Sequence, residues 1–477
     1  MSRRLSQYAV AVAVAAFSLS SSAIAQSTEK AAPRTLPVTT SSEAAKTALA
    51  TAVREAENLG GAHRVDPALK AVLDADAQLA LGRAYYARFA SGMTAAQRAS
   101  EYERALKDAA SASTAELAFI AGMRENTGGR NAVARDFFDL AIKLAPDDPR
   151  VTYYRTLVSA NAAEGLKLSQ AAAEKFPDFA PNWNTLAYRL NTAGNKAEAI
   201  AAVQKYVSLE PKLPNPHDSY AEILSLQGQL DESDTHYKHV LQIDPRFEVA
   251  HEGMAENAVK RGDFATARAH LNEALKVDVA PGRRITLMND IAATFAMENK
   301  GKEARAQYMA IIESAQSAAL PARAQEAHRM IGMMDAIAGR AKEATQHYTA
   351  GAPTNPGPFV PLADAIFHGT LGHADAVSAA IVAMEKNAAA APDDVARREA
   401  VHLAQLIHAV HTKDLAAARE HQRALKLSGL RAVAGGFLAK PLARARDQAG
   451  AKAAMDDVMA HATLDGNAAI ARLMAKR

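Results

Sequence analysis

The sequence contains no cysteine and only one tryptophan among its 477 residues. Without cysteine, the chain has no disulfide bond, no thiolate metal site and no lipid-modified cysteine. It also has no apolar run long enough to cross a membrane permanently, which takes about 20 residues. The mature protein is therefore expected to be soluble, with no transmembrane anchor and a folded state that depends on packing alone.

A strong excess of either charge is also missing. The chain has 55 Lys and Arg residues and 52 Asp and Glu residues, a formal net charge of +3. Loss of Arg3 and Arg4 with an N-terminal signal lowers the basic count from 55 to 53. Nucleic-acid and anionic-membrane binding require clustered positive charge, so neither is expected of this chain.

The first 25 residues have the three parts of a secretory signal peptide. Arginines at positions 3 and 4 precede an apolar stretch over residues 8–19, and Ala23-Ile24-Ala25 follows as a cleavage signal. This pattern predicts cleavage before Gln26 and a periplasmic or secreted mature protein.

Composition and spacing divide the rest of the chain into four parts. Residues 26–42, rich in Pro, Thr and Ser, are predicted to be a flexible linker. Residues 43–112 are predicted to form N-terminal helices that include one degenerate repeat. A regular repeat array is expected over 113–356, and degenerate helical repeats with a C-terminal cap over 357–477.

Prolines recur at a period near 34 residues through the middle of the chain, which is typical of a helical solenoid. The recurring positions are Pro146, Pro177, Pro211, Pro245 and Pro281, and Pro321 and Pro356 continue them more loosely. Such a period indicates stacked pairs of helices.

The repeat is clearest between Ala180 and Pro211. One apolar stripe of a first helix has the spacing i, i+3, i+4 and i+7, and Gly194 ends that helix. A second helix follows and ends at Pro211. The stripe residues are Trp183, Leu186, Ala187 and Leu190, and the second helix contributes Ala199, Val203 and Tyr206.

These positions resemble the tetratricopeptide repeat family, whose pattern is Trp-x2-Leu-Gly-x2-Tyr followed by Ala, an aromatic residue, Ala and Pro. The resemblance implies an all-α fold, a right-handed superhelical solenoid of helix pairs. It also implies a concave face that holds protein or peptide partners. The expected function is an exported scaffold, with envelope assembly or export as the process suggested by the family alone.

Motifs for catalysis are absent from the sequence. There is no His-Glu-x-x-His zinc pair, nucleophile elbow or phosphate-binding loop, so no enzymatic activity, cofactor or metal is expected. Two pairs of histidines at i, i+3 spacing, His236 with His239 and His408 with His411, could share a metal but lack a third ligand. An enzyme or metal site in residues 43–112 or 357–477 stays the alternative.

The predicted partner-binding residues lie on the face of the first helices that packing leaves free. They are Asn184, Tyr188, Asn191, Asp218, Glu222, Glu252, Glu256 and Asn289. The four acids predict a basic or neutral extended partner, and none of them is expected to pack. The alternative is that these acids only solvate an exposed helix face.

Overall fold

The computed structural model describes residues 34–277, 279–354, 356–460 and 466–476. Within these ranges the chain forms 25 α-helices and one short 3-10 turn, with no β-strand. None of the described helices combines the length and the apolar character that a bilayer span needs. The predicted all-α fold of consecutive helix pairs is confirmed. The predicted signal peptide lies outside the described residues.

The chain divides into two compact units between Ala250 and His251. In its described residues, from 34 onward, the first unit holds twelve helices, which pack mainly in consecutive pairs. They are α1 Glu43–Glu57, α2 Ala62–Ala75, α3 Ala80–Phe89, α4 Ala95–Asp108, α5 Thr114–Thr127, α6 Asn131–Leu144, α7 Pro149–Leu157, α8 Ala162–Lys175, α9 Ala180–Thr192, α10 Lys196–Leu209, α11 Pro214–Leu226 and α12 Leu230–Ile243.

Helix α13, Glu248–Arg261, contains the division between the units. The second unit continues with the same helix-turn-helix pairing. Its helices are α14 Phe264–Ala274, α15 Pro281–Met297, α16 Gly301–Ser317, α17 Pro321–Ile337, α18 Ala341–Ala350, α19 Val360–Leu371, α20 Ala374–Ala389, α21 Val395–His411, α22 Leu415–Ala424, α23 Ser428–Arg444, α24 Gln448–Ala460 and α25 Gly466–Lys476.

Local signals fix where many of these helices begin. Ser113 and Glu116 form a capping box at the start of α5, in which each side chain bonds the other residue's backbone. Pro281 and Pro321 are the first residues of α15 and α17. Proline is favoured there because its missing N–H would be unbonded in the first turn anyway. These two recurring prolines start helices, whereas the others in the first unit lie in the connections after second helices: Pro146, Pro177, Pro211 and Pro245.

The turn between paired helices keeps one backbone feature through both units. A residue with positive φ follows the first helix of the pair at Gly194, Gly228 and Gly262, where glycine adopts the left-handed conformation without strain. In less regular repeats the same place is taken by Asn299, Lys413 and Arg446, whose φ values are 69°, 62° and 62°. The same kind of turn therefore recurs well past residue 356.

The small residues of the repeat lie where the helices of a pair meet. Ala187 of α9 and Ala199 of α10 are both fully buried. Leu186 and Leu190 are buried in the same core cluster, as the sequence predicted, while Trp183 is half-buried and donates from Nε1 to the Pro177 carbonyl at 2.8 Å. A larger side chain at either alanine would force the two helices apart.

Four fully buried aromatic rings form the centre of the first unit. Tyr154 packs edge-on against Phe119 at a centroid distance of 5.0 Å and lies 5.9 Å from Phe138. Tyr85 approaches Tyr154 at 6.5 Å, also edge-on. Gly122 makes room for the cluster, because a Cβ there would lie 2.6 Å from the Phe138 ring.

The N-terminal part of the first unit departs from the expectation of a flexible linker over residues 26–42. Within the described residues 34–42, Leu36 is buried and its N–H donates to Asp148 at 3.0 Å. The N–H of Thr39 donates to Glu116 at 2.9 Å. Composition predicted flexibility here, but acceptors from α5 and the start of α7 hold this segment in place.

The second unit is closed by its last helix. Helix α25 packs against α15, α17 and α23, so that it contacts helices far earlier in the sequence as well as its neighbours. Ala469 joins the core around α15 and α16. Arg472 is buried, with its guanidinium 5.6 Å from the centre of the Phe264 ring. The predicted C-terminal cap therefore also packs against earlier helices of its own unit.

The division of contacts allows a direct test by truncation. A fragment of residues 26–281 keeps the whole first unit with α13 and α14. We expect it to be helical and to unfold cooperatively, because contacts in a repeat protein are mostly between neighbours. Circular dichroism during thermal unfolding measures both properties. A disordered fragment would contradict this expectation.

Candidate partner-binding site

A cavity of about 340 Å³ opens in the first unit beside the first helices of two successive repeats. It is lined by Asn184 and Tyr188 of α9 and by Asp218 and Glu222 of α11. These are four of the eight residues that the sequence predicted for the partner-binding face. The helix periodicity explains why these four residues share one face, because the two residues on each helix lie one turn apart. The volume of the cavity is at the low end of the range for ligand pockets.

Tyr188 and Glu222 connect the two helices across the cavity. The Tyr188 hydroxyl donates to Oε2 of Glu222 at 2.5 Å. Burial, together with the neighbouring Glu222 carboxylate, raises the pKa of Tyr188 well above its ordinary value. The phenol therefore stays protonated at physiological pH and holds the carboxylate in a fixed position.

Asn184 presents an unused acceptor at the cavity. Its side-chain Oδ1 is buried and has no hydrogen-bond partner among the described residues. Leaving a buried acceptor unpaired costs about 1–3 kcal/mol, which a donor from a bound partner would recover. On the α11 side, Asn215 is already engaged with the Tyr206 hydroxyl at 3.1 Å.

One wall of the cavity comes from the turn between α1 and α2, which the sequence did not indicate. Leu59 and Gly61 of this turn and Phe247 line the cavity. The turn is fixed because Nε2 of His63 bonds Oδ2 of Asp244 at 2.6 Å. No local pattern links residue 63 to residue 244, so spacing could not have revealed this wall.

Two of the predicted residues differ from expectation in this unit. Asp218 is only 6 % exposed, so the prediction that none of the four acids packs is wrong for this residue. Asn191 lies outside the cavity, where its Oδ1 accepts from Nε2 of Gln227 at 3.1 Å. Of the residues predicted in the first unit, Asn184, Tyr188 and Glu222 therefore line the cavity without being fully buried.

The other predicted residues belong to the second unit, where the carboxylates of Glu252 and Glu256 act electrostatically on a buried carboxyl group. Asp290 of α15 is 7 % exposed, and burial and the Glu252 carboxylate raise its pKa far above the ordinary value. Glu252 itself accepts from Arg283 at 2.5 Å, so it also packs instead of standing free. Glu256 lies one turn after Glu252 on α13, and Asn289 directly precedes Asp290 on α15; both are half-buried.

A second cavity, of about 380 Å³, lies within the second unit. Met330 and Met333 of α17, Ile366 of α19 and Ile470 of α25 line it, with Tyr348 of α18. None of the predicted partner-binding residues is in its lining. No sequence pattern indicates this cavity, because four separate helices contribute its walls.

The i, i+3 histidine pairs do not gather into a metal centre. His236 packs on the Tyr220 ring at a centroid distance of 4.2 Å, and His239 lies 4.5 Å from the His217 ring. His408 approaches the Ser378 hydroxyl at 3.3 Å. Among the residues described, no group of three or more potential metal ligands comes together.

No protein-family model and no curated protein matches the chain. Among solved structures, the chain is similar to TTC0263, a tetratricopeptide repeat protein from Thermus thermophilus. The identity is 17 % over 34 % of this chain and 91 % of that chain, with a TM-score of 0.31. A MamA structure shows 16 % identity over 32 % and 92 % of the two chains, with a TM-score of 0.28.

MamA residues 41-end from Desulfovibrio magneticus RS-1 gives 15 % identity over 34 % of this chain and 94 % of that chain, with a TM-score of 0.30. Likeness at this level carries no functional argument. The assignment of the fold depends on the chain's own features: paired helices, buried small residues at the contacts, and a recurring positive-φ turn. The chain is an all-α protein of tetratricopeptide-like helix pairs.

Proposed function

We propose that the protein is an exported scaffold whose first unit binds an extended, basic or neutral segment of a partner protein. The observation that carries this proposal is the unpaired Asn184 acceptor beside the oriented Glu222 carboxylate in the cavity. An exported location is supported by the signal-like pattern of residues 1–25.

The chemistry of the cavity defines the partner. Asn184 Oδ1 and the Glu222 carboxylate are acceptors, so they bind N–H donors such as a partner's backbone amide, lysine or arginine. Leu59 and Val249 are exposed apolar residues of the lining, at 53 % and 37 %, and provide contact for an aliphatic side chain. An acidic segment would be repelled by Glu222.

The expected affinity follows from these contacts. Hydrogen bonds to a charged group contribute about 1.5–3 kcal/mol each, and partly exposed ion pairs contribute less than about 1 kcal/mol. Binding should therefore be modest and should weaken as salt increases, because salt screens the attraction between Glu222 and a cationic donor.

A single charge reversal in the cavity tests the proposal. Glu222→Lys should lower partner affinity about 10-fold, because it removes the carboxylate acceptor and repels a basic segment. The measurement is capture from an extract of the native cell on immobilised protein, followed by a binding titration of each captured partner at low and high salt.

Glu198→Lys is the matched control. Glu198 is exposed on α10, away from the cavity, and its replacement by lysine changes the net charge by the same amount. Both variants should keep the helical circular dichroism spectrum of the parent. Equal affinity of the parent and the Glu222→Lys variant for every captured partner would mean that the cavity is not the binding site.

A further inference from the structure

Histidines of the second unit lie in pairs. Ten histidines between residues 251 and 460 are described, and eight of them form four pairs in which the two Nδ1 atoms face each other. The Nδ1···Nδ1 distances are 3.4 Å for His251–His270, 3.1 Å for His328–His347, 3.3 Å for His368–His373 and 3.2 Å for His402–His421.

Three of these pairs occupy the same place in the repeat. In each, the first histidine lies on the first helix of a pair and the second lies 19 residues later, on the second helix. The helices are α13 with α14, α17 with α18, and α21 with α22. The helix pair therefore fixes the separation of the two imidazoles, so one geometry recurs three times in the unit.

The spacing alone does not create the pairing. His217 and His236 of the first unit are also 19 residues apart, but their rings stack at a centroid distance of 6.3 Å. His217 directs its Nε2 toward the Pro211 carbonyl at 3.3 Å. Two histidines at this spacing can therefore adopt more than one relative ring orientation. The orientation with facing Nδ1 atoms is found in the pairs of the second unit.

The separation of the nitrogens suits a metal ion. Imidazole nitrogens bind zinc at about 2.0–2.1 Å, so two of them on one tetrahedral ion lie about 3.3–3.4 Å apart. In the structure the rings point head-on, since centroid distances of 5.3–5.7 Å equal the nitrogen separation plus two ring radii. A proton shared between the nitrogens accounts for this geometry.

Replacing that proton by a metal ion requires only a pivot of both rings toward one side. The helices need not move, because the nitrogen separation hardly changes. The paired side chains are half-buried or exposed, so water can complete the coordination of the ion. Two imidazoles on a solvent-accessible edge are ligands that zinc, nickel and copper(II) accept.

Surrounding charges rank the four pairs. The Glu420 carboxylate interacts electrostatically with His421, and the Asp364 carboxylate interacts in the same way with His368. The negative charge at both sites attracts a cation. Glu273 and Lys276 both act on His251, with opposing effects. At His328–His347 the Arg305 guanidinium lies 3.1 Å from Nε2 of His347, which opposes a cation.

We propose that the histidine pairs of the second unit are binding sites for a divalent borderline transition-metal ion. Each ion is held by two Nδ1 atoms and completed by water, with His402–His421 and His368–His373 the tightest sites. Because the protein supplies only two ligands to each ion, the affinity is modest. Metal binding stabilises the second unit, because each ion holds the two helices of a pair together. The inference is independent of the partner site in the first unit.

Calorimetric titration of the full, tag-free chain with Ni²⁺ at pH 7.5 tests the proposal. The parent should bind several ions saturably. The double variant with His402→Gln and His421→Gln should bind one ion per chain fewer than the parent. The matched control changes His408 and His411 to Gln on the same region of α21, and should bind as many ions as the parent. Equal losses in both variants, or no saturable binding by the parent, would overturn the proposal.

A thermal measurement separates a folding defect from a lost site. Zn²⁺ should raise the melting temperature of the parent and of the control, and should raise that of the pair variant less. His421→Gln alone removes one ligand with a smaller change in packing and should show the same loss. If Zn²⁺ raises the melting temperature of all these proteins equally, the pairs are hydrogen-bonded packing contacts and hold no metal.

Discussion

Replacement of Glu57 by glutamine should stabilise the first unit at pH 9 and leave its stability at pH 5 almost unchanged. Glu57 is 5 % exposed at the end of α1, and its carboxylate accepts from the Tyr85 hydroxyl. Burial raises the pKa of Glu57 to about 7, against an ordinary value of 4.5. The buried side chain is therefore protonated at pH 5 and charged at pH 9.

The sign of the effect follows from proton binding. The folded state holds a proton on Glu57 in a pH range where the unfolded state has released it. This contribution to stability is present below pH 4.5 and is lost as the pH rises through about 7. Glutamine stays neutral and can still accept from Tyr85, so the variant should gain up to about 3 kcal/mol above pH 8.

Trp183 makes the measurement simple, because the only tryptophan of the chain lies in the first unit. Urea unfolding followed by its fluorescence at pH 5 and pH 9 gives the stability of each variant. Glu43→Gln is the control, since Glu43 lies at the exposed start of the same helix and should show no such pH difference. A parallel pH dependence of the parent and the Glu57→Gln variant would show that Glu57 is charged at pH 5.

The largest loss of stability is expected for Phe138→Ala. Phe138 is fully buried among Phe119 and Tyr154, and its ring covers Gly122. Removing a buried phenylalanine ring costs about 3–5 kcal/mol, from lost burial and from the cavity left behind.

Phe137→Ala is the matched control for this substitution. Phe137 is the neighbouring residue on α6, but it is only partly buried at the edge of the same cluster. Its removal should cost clearly less. Urea unfolding with Trp183 fluorescence compares the two variants. Equal losses would mean that the aromatic cluster does not stabilise the unit more than its rim does.

The repeating part of the fold could be predicted from sequence because its causes are local. Alanine at helix contacts, glycine at the turn and proline between helix pairs each act locally, so a period of about 34 residues shows them directly. The periodicity also placed Asn184, Tyr188 and Glu222 on one face. Where Lys413 and Arg446 replace glycine, the turn persists without its sequence marker.

What the sequence could not show depends on contacts between distant residues. The wall formed by Leu59 and Gly61, and the burial of Asp218, depend on helices that meet through the fold. The histidine pairs are an intermediate case. Their 19-residue spacing is visible in the sequence, but the i, i+3 spacing favoured partners on one helix, and only the structure shows which imidazoles face each other.

The contacts that hold the α1–α2 turn determine when, during folding, the cavity is completed. Arg54 bonds Glu210 across 156 residues, and His63 bonds Asp244 across 181 residues. A chain that emerges from its N-terminus presents α1 and α2 first, so this hairpin must wait for most of the first unit before its partners are available. Repeats between α3 and α10 can pair as they emerge. The cavity beside Tyr188 therefore closes last, and a chain that stops before residue 244 lacks part of its lining.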